Sequence, residues 1–323
     1  MLEDAGSLKA SICIPTYNRR DILRQTLASL EHQTVSPDRY EVIVTDDGSS
    51  DDTVAVVTAL QPPHTLSIVR QKNAGPAAAS NTAARQAKND ILIFLDDDQI
   101  VAPSLVEAHL AAQAKQGGAL VQGLYPLADG CERRGSSLLY DHYMLAAVAP
   151  IDAPHPFSPH IWSANISVPR DAWEKVGGFD EGFRLYGSED TDFGIRIADL
   201  GLPVIFDPAA YSRHIHVVGY GSLKRQSFQG GTSLVRLAEK FGTSVEEVAG
   251  NSFDRRTDKA FTIIWAAGPL AARAAGGMLT GLLVAADSVR ARPAQLAMAR
   301  VVQRFYKVGG IRSESRALLN GRH

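Results

Sequence analysis

Through the first hundred residues, short apolar and β-branched runs alternate with stretches of helical spacing. Residues 11–14 (Ser-Ile-Cys-Ile), 40–45 (Tyr-Glu-Val-Ile-Val-Thr), 66–69 (Leu-Ser-Ile-Val) and 91–95 (Ile-Leu-Ile-Phe-Leu) have the length and composition of buried strands. Between the first two, Ile22, Leu23, Leu27 and Leu30 recur at helical spacing over 21–30. Residues 51–60 and 76–88 predict two more helices, introduced by Asp-Gly-Ser-Ser (47–50) and Asn-Ala-Gly-Pro (73–76) turns. Strand and helix in this alternation imply an α/β fold with a mostly parallel sheet, right-handed crossovers and flanking helices.

Ligands of such sheets bind at the carboxyl ends of the strands. Three segments deliver polar groups there: Pro15, Thr16, Tyr17 and Asn18 after the first strand, Asp46 and Asp47 after the second, and Asp96, Asp97 and Asp98 after the fourth. Beyond a helix over 103–116 the pattern loosens, and 123–159 predicts irregular structure. Order returns with 161–168, a helix over 189–200 and a short strand at 204–206. From 222 the chain reads as mostly helical, which divides it into residues 1–221 and a helical region 222–323. Residues 274–286 are nearly free of polar groups but short of the roughly 20 that span a bilayer, so a buried helix is expected.

Composition narrows the function classes. Thirty-three Lys and Arg against 35 Asp and Glu leave a net charge of −2, which argues against a nucleic-acid partner. Cys13 and Cys131 match no metal-ligand spacing and suit a reducing compartment. The first residues show no secretion signal, so a cytoplasmic location is expected, with peripheral contact to the membrane's inner face kept open.

The carboxylate triple carries the sharpest question, because adjacent like charges repel unless something positive compensates. Carboxylates at i and i+2 past a strand can bind one hard cation, and a surface turn that caps the next helix explains them equally well. A second acidic group, Glu189 and Asp190, stands at a predicted helix N-terminus, where ordinary capping also places acids.

Taken in order, these motifs resemble the GT-A glycosyltransferases of the family 2 type over roughly residues 9–230. Ser-Ile-Cys-Ile-Pro-Thr-Tyr-Asn (11–18) is similar to the family's opening strand, and the Asp-Asp-Gly-Ser-Ser-Asp-Asp-Thr segment (46–53) to its nucleoside-binding turn. Asn-Ala-Gly-Pro-Ala-Ala-Ala-Ser-Asn (73–81) resembles the diphosphate-side segment, Asp96 to Asp98 the DxD motif, and Gly-Gly-Phe-Asp-Glu (177–181) with Glu189 and Asp190 the acceptor block.

The resemblance implies an inverting, non-processive transfer from a nucleoside-diphosphate sugar, UDP favoured, to a small-molecule, glycan or peptide acceptor. It implies Mn²⁺ or Mg²⁺ held by Asp98 with His214 or His216, and donor contacts from Pro15, Thr16, Tyr17, Asp46, Asp47, Asn73, Gly75, Asn81, Asp96, Asp97 and Asn165. Asp190 is then the base and Glu189 its helper. Lys224 and Arg225, behind two glycines, have the make-up of a lid over phosphates, and a solvated helix start explains them equally well. Two departures stand out: Ser80 occupies a position where the family often has Arg, and no Gln-x-x-Arg-Trp block is present. The alternatives are a haloacid dehalogenase-type phosphatase with Asp96 as nucleophile, which expects Thr or Val where this chain has Ile100, and a non-catalytic sugar-nucleotide-binding protein. For residues 255–323 a homodimer contact or intramolecular cover is expected ahead of membrane contact.

Overall fold

The computed structural model describes residues 6–147, 161–215, 218–249 and 255–321. The elements run β1 (Ala10–Thr16), α1 (Arg20–Leu30), β2 (Tyr40–Asp46), α2 (Thr53–Ala59), β3 (Thr65–Arg70), α3 (Pro76–Gln86), β4 (Ile91–Leu95), β5 (Gln99–Val101), α4 (Leu105–Gln116), β6 (Leu120–Leu124) and α5 (Gly135–Ala147). There follow β7 (Asn165–Pro169), α6 (Arg170–Val176), α7 (Glu189–Asp199), β8 (Val204–His214), α8 (Tyr220–Lys240), α9 (Val245–Ala249), α10 (Arg255–Ala266), α11 (Pro269–Ser288) and α12 (Arg292–Leu319). Two compact units emerge: 1–129 with 144–184 and 189–216, and 130–143 with 185–188 and 217–323.

In the first unit the eight strands form one mixed sheet in the order β3-β2-β1-β4-β7-β6-β8-β5. The expected strand-helix units build the parallel half, where β1 pairs with β2 and β4, and β2 with β3. Because side chains alternate across a strand, each central strand feeds two cores. Ile12, Ile14, Val42, Val44, Ile91 and Ile93 pack on Leu23, Leu27 and Leu30 of α1 and on Leu105 and Leu110 of α4. Cys13, Ile43, Leu92 and Phe94 face the other way, onto Ala83 and Ala84 of α3 and Phe193 of α7. Phe179 completes an aromatic group with Phe94 (4.9 Å between ring centres) and Phe193 (4.4 Å).

The second half of the sheet is mixed, with β6 parallel to β8. β7 is antiparallel to both β4 and β6, and β5 to β8. The short strand expected at 204–206 continues to His214. Part of the stretch expected to be irregular is helical, as α5.

Between β5, β7, β8 and α4 lies a seam of polar side chains in place of an apolar core. His109 Nε2 is 2.8 Å from Asn165 Oδ1, Asn165 Nδ2 donates to Ala210 O at 2.9 Å, and Ser212 Oγ donates to Gln99 Oε1 at 2.8 Å. Burial pushes the His109 imidazole down to about 4, so it stays neutral. Asn165, expected at the donor, is fully buried in this seam and its amide is engaged by protein on both sides. Paired polar groups of this kind fix register where apolar packing alone would not.

The second unit is helical among its described residues. α11 corrects the expectation for 274–286: it runs 20 residues, and only 22% of its apolar stretch is buried. By length and composition alone it could cross a membrane.

Candidate active site

The ends of β1, β2 and β4 meet at one rim through hydrogen bonds between their loops. Thr16 Oγ1 donates to Asp97 Oδ2 at 2.7 Å, and Thr26 of α1 holds the Asp97 carbonyl at 2.7 Å. The Asn18 amide donates to Ser49 Oγ at 2.8 Å, and the Ser50 amide donates back to Asn18 Oδ1 at 2.7 Å. Tyr17, beside them, is 49% exposed at the rim, and Pro15 is half-buried.

The positive partner of the carboxylate triple comes from the chain itself. Arg19 Nη1 donates to Asp97 Oδ1 and Nη2 to Asp98 Oδ2, both at 2.6 Å, so one planar guanidinium spans two buried carboxylates. The sequence reading missed Arg19. Its signal was a cation immediately before the first turn of α1, where the helix dipole disfavours positive charge.

Asp98 has a second neighbour. Pairing of β5 with β8 sets Gln99 opposite His214, and the Ile215 amide donates to Asp98 O at 2.9 Å. His214 Nε2 then lies 3.1 Å from Asp98 Oδ1, with both side chains buried. Despite burial, His214 and Arg19 hold the Asp98 carboxyl well below the usual range. Burial, with Asp98 and Asp97 as further negative neighbours, pushes half-buried Asp96 up to about 7. Burial also pushes Asp97 up to about 6. His216 lies outside the described residues.

Asp98 Oδ1 accepts no hydrogen bond with good geometry yet sits beside an imidazole nitrogen. A carboxylate and an imidazole side by side are donor types that suit a borderline-hard divalent cation keeping water and phosphate oxygens among its other ligands. Among the described residues no group of three or more His, Cys, Asp or Glu is arranged to hold a metal.

Asp190 reaches the same part of the sheet from a different element. It stands in the first turn of α7, its Oδ1 accepts the Thr191 amide at 2.8 Å, and the Ser163 backbone also bonds it. The next residue, Ala164, accepts from the Asp96 amide at 3.1 Å, so residues 163 and 164 contact both carboxylate segments. Burial pushes Asp190 up to about 6. Glu189 precedes it at the helix start and is half-buried.

Several expected donor contacts are engaged in building the rim. Asp47 accepts from the Ala74 and Gly75 amides, both at 2.9 Å, and from Gln71 Nε2 at 2.7 Å. It thereby holds the 73–75 turn, whose Gly75 has φ +95°. Asn73 caps the Asp47 carbonyl at 3.1 Å. Asp46 is fully buried, accepting the Ser49 amide at 3.0 Å with Arg70 Nε 3.2 Å away. Asn81 bonds the Phe179 carbonyl and amide at 2.8 and 2.9 Å. Gly178 makes that clamp fit: it has φ +74°, and a Cβ there would meet Asn81 Oδ1 at 2.5 Å. Lys224 and Arg225 belong to the second unit, on the first turns of α8.

Comparison with known proteins matches residues 11–164 to glycosyl transferase family 2 and residues 145–218 to the N-terminal domain of galactosyltransferase. Validoxylamine A glucosyltransferase of Streptomyces hygroscopicus subsp. limoneus is 32% identical over 220 residues, 60% of this chain and 49% of that protein. The uncharacterized glycosyltransferase YfnE of Bacillus subtilis is 30% identical over 242 residues, 60% of this chain and 62% of that one. The chain spans about half the length of the first curated relatives it matches. Among solved structures, the mannosyltransferase PcManGT from Pyrobaculum calidifontis in complex with GDP-Man and Mn²⁺ aligns with TM-score 0.64 at 19% identity, covering 98% of this chain and 88% of that one. S. aureus TarS 1-349 in complex with UDP-GlcNAc aligns with TM-score 0.53 at 17% identity, covering 98% and 93%. Both show the same fold.

Proposed function

Because the chain belongs to glycosyl transferase family 2 through residues 11–164, we propose that it transfers a sugar from a nucleoside-diphosphate sugar to an acceptor hydroxyl, with inversion, in single transfers. The observation that supports this reading is that two differently tuned carboxylates lie on segments joined through residues 163 and 164. Asp98 is kept ionised beside His214, while Asp190 is pushed up to about 6 at a helix start. Environments that push two carboxyl groups apart separate a charge-holding role from a proton-accepting one.

In this assignment Tyr17 offers its exposed ring to the nucleobase, with Pro15 and Thr16 beside it, and half-buried Asp96 faces the ribose. Asp98 and His214 hold Mn²⁺ or Mg²⁺, as the Mn²⁺ complex of the archaeal mannosyltransferase suggests by analogy. When bound, such an ion neutralises charge on a departing diphosphate. Asp190 takes the proton of the attacking hydroxyl, a role its raised pKa suits near neutral pH. Glu189 orients it or an acceptor hydroxyl. Asp46, Asp47, Asn73 and Gly75 act on the donor indirectly, by holding the loops against which it lies.

Calorimetric titration with UDP, GDP and dTDP, each with and without Mn²⁺, tests this reading. Metal-dependent binding of one nucleotide is expected, with UDP the favoured candidate. Binding indifferent to metal would remove Asp98 and His214 from the assignment.

A further inference from the structure

The outward half of α11 is mostly apolar, with Arg273 and Ser288 as its exposed polar positions. Leu270, Ala274, Met278, Leu282, Ala285 and Val289 recur at three- and four-residue spacing and are all exposed, Leu270 at 82% and Met278 at 63%. The inward half, with Ala272, Leu283 and Ala286, supplies the buried contacts of the second unit. On α10, Ile263 is 69% exposed, one turn beyond Lys259 and two beyond Arg256. A 20-residue helix is about 30 Å long, so this is a long apolar strip.

Charge says what it faces. Residues 255–323 contain twelve Lys and Arg but only three Asp and Glu, a surplus of nine positive charges in a chain whose net charge is −2. Each of the three acids is engaged inside the unit. Asp258 takes Arg304 at 2.6 Å, Glu314 takes Arg236 at 2.7 Å, and Asp287 accepts from the Gly135 amide, Tyr220 and Gln295. Arg256, Lys259, Arg273, Arg290, Arg292 and Arg316 remain exposed, several of them at the ends of the apolar strip.

We propose that the outward face of α10 and α11 docks on an anionic lipid bilayer, with α11 lying in the plane of the interface. An apolar strip bordered by cations matches the boundary between acyl chains and phosphate headgroups. A second copy of the chain would bring the same surplus of cations face to face, which opposes a symmetric dimer. A spanning orientation would strip α12 from Leu283 and pull Asp287 away from Gly135, Tyr220 and Gln295.

Flotation of the full chain with vesicles of phosphatidylcholine alone, or with 30% phosphatidylglycerol, tests the proposal. Binding only to the anionic vesicles is expected, falling several-fold between 50 and 500 mM salt and at least ten-fold in Met278→Glu/Leu282→Glu. The paired change Arg290→Gln/Arg292→Gln, on exposed positions that leave the core intact, should weaken binding several-fold with the melting temperature unchanged. Absence of binding to anionic vesicles overturns the proposal, as does equal binding by both variants. Vesicle binding that resists alkaline carbonate would replace docking by spanning. A concentration-dependent dimer abolished by Met278→Glu/Leu282→Glu, without vesicle binding, would give the face to a second copy.

Discussion

The guanidinium of Arg19 donates to Asp98 at 2.6 Å from a position immediately before α1, 79 residues away in sequence. It also donates to Asp97 at 2.6 Å, so the first loop of the sheet supplies the positive charge that the carboxylate triple requires. Replacing Arg19 with Gln removes the guanidinium that spans both buried carboxylates, leaving Asp97 beside Thr16 and Asp98 beside His214. The folded state should lose about 2 kcal/mol in chelator, less than for a fully buried pair because Arg19 is partly exposed. Mn²⁺ at a hundred times its dissociation constant should restore about 2.7 kcal/mol. Thermal melts of both proteins with EDTA and with Mn²⁺ measure this, and a metal-independent deficit would separate Arg19 from the cation site.

Asp98→Asn and His214→Ala should each weaken Mn²⁺ binding roughly ten-fold or more, read by calorimetry with metal alone. Glu181→Gln, which removes an exposed pair with Arg85, is the control and should leave the titration unchanged.

Asp190→Asn should lower turnover roughly 10²- to 10⁴-fold while nucleotide affinity stays within two-fold. In the wild type, kcat/KM should rise with pH and level off above about 6, where Asp190 becomes ionised. Unchanged turnover in the variant removes Asp190 from the chemistry.

The same shift has a consequence for stability. The folded state raises the Asp190 pKa from 3.8 to about 6. Below 3.8 the carboxyl is protonated folded or unfolded, and the shift has no effect; above about 6 the ionised group destabilises the folded chain fully. Asp190→Asn should therefore stabilise the protein by on the order of 2 kcal/mol at pH 8 and by nothing measurable at pH 3.5. Denaturant titrations at the two pH values check both the sign and the window.

Asn81→Ala should cost about 1–3 kcal/mol in denaturant titration, because the Phe179 carbonyl and amide lose their partner. Nucleotide affinity should change by less than three-fold, since the Asn81 side chain is engaged within the fold. A ten-fold loss of affinity at unchanged stability would return Asn81 to the donor site.

The parallel half of the sheet and the rim segments after β1, β2 and β4 were legible in the sequence, because local alternation and strand-end turns encode them. The mixed half was not: β7 inserts antiparallel between β4 and β6 by tertiary pairing, which no local pattern announces. Asn165 and Asn81 show a second limit. Asn81 read as a ligand contact through a motif match and Asn165 as part of the same donor set, and only the fold reveals the internal partners of both. Arg19 shows the converse, since its meaning depends on carboxylates some eighty positions away. The α11 segment was misjudged because 274–286 is apolar on both halves, and the sequence does not say which half has a partner.

The pairing of β5 with β8 has a bearing on how the chain acquires its site. Ser212 meets Gln99 across 113 positions, and His214 stands beside Asp98 only through that same contact. Closing so long a loop is entropically slow compared with forming the local strand-helix units. A growing chain therefore displays its carboxylate triple, compensated by Arg19, well before the imidazole arrives. A product cut short before β8 would carry the rim built by β1, β2 and β4 without His214, so the pair proposed to hold a metal forms only after residue 214 has been made.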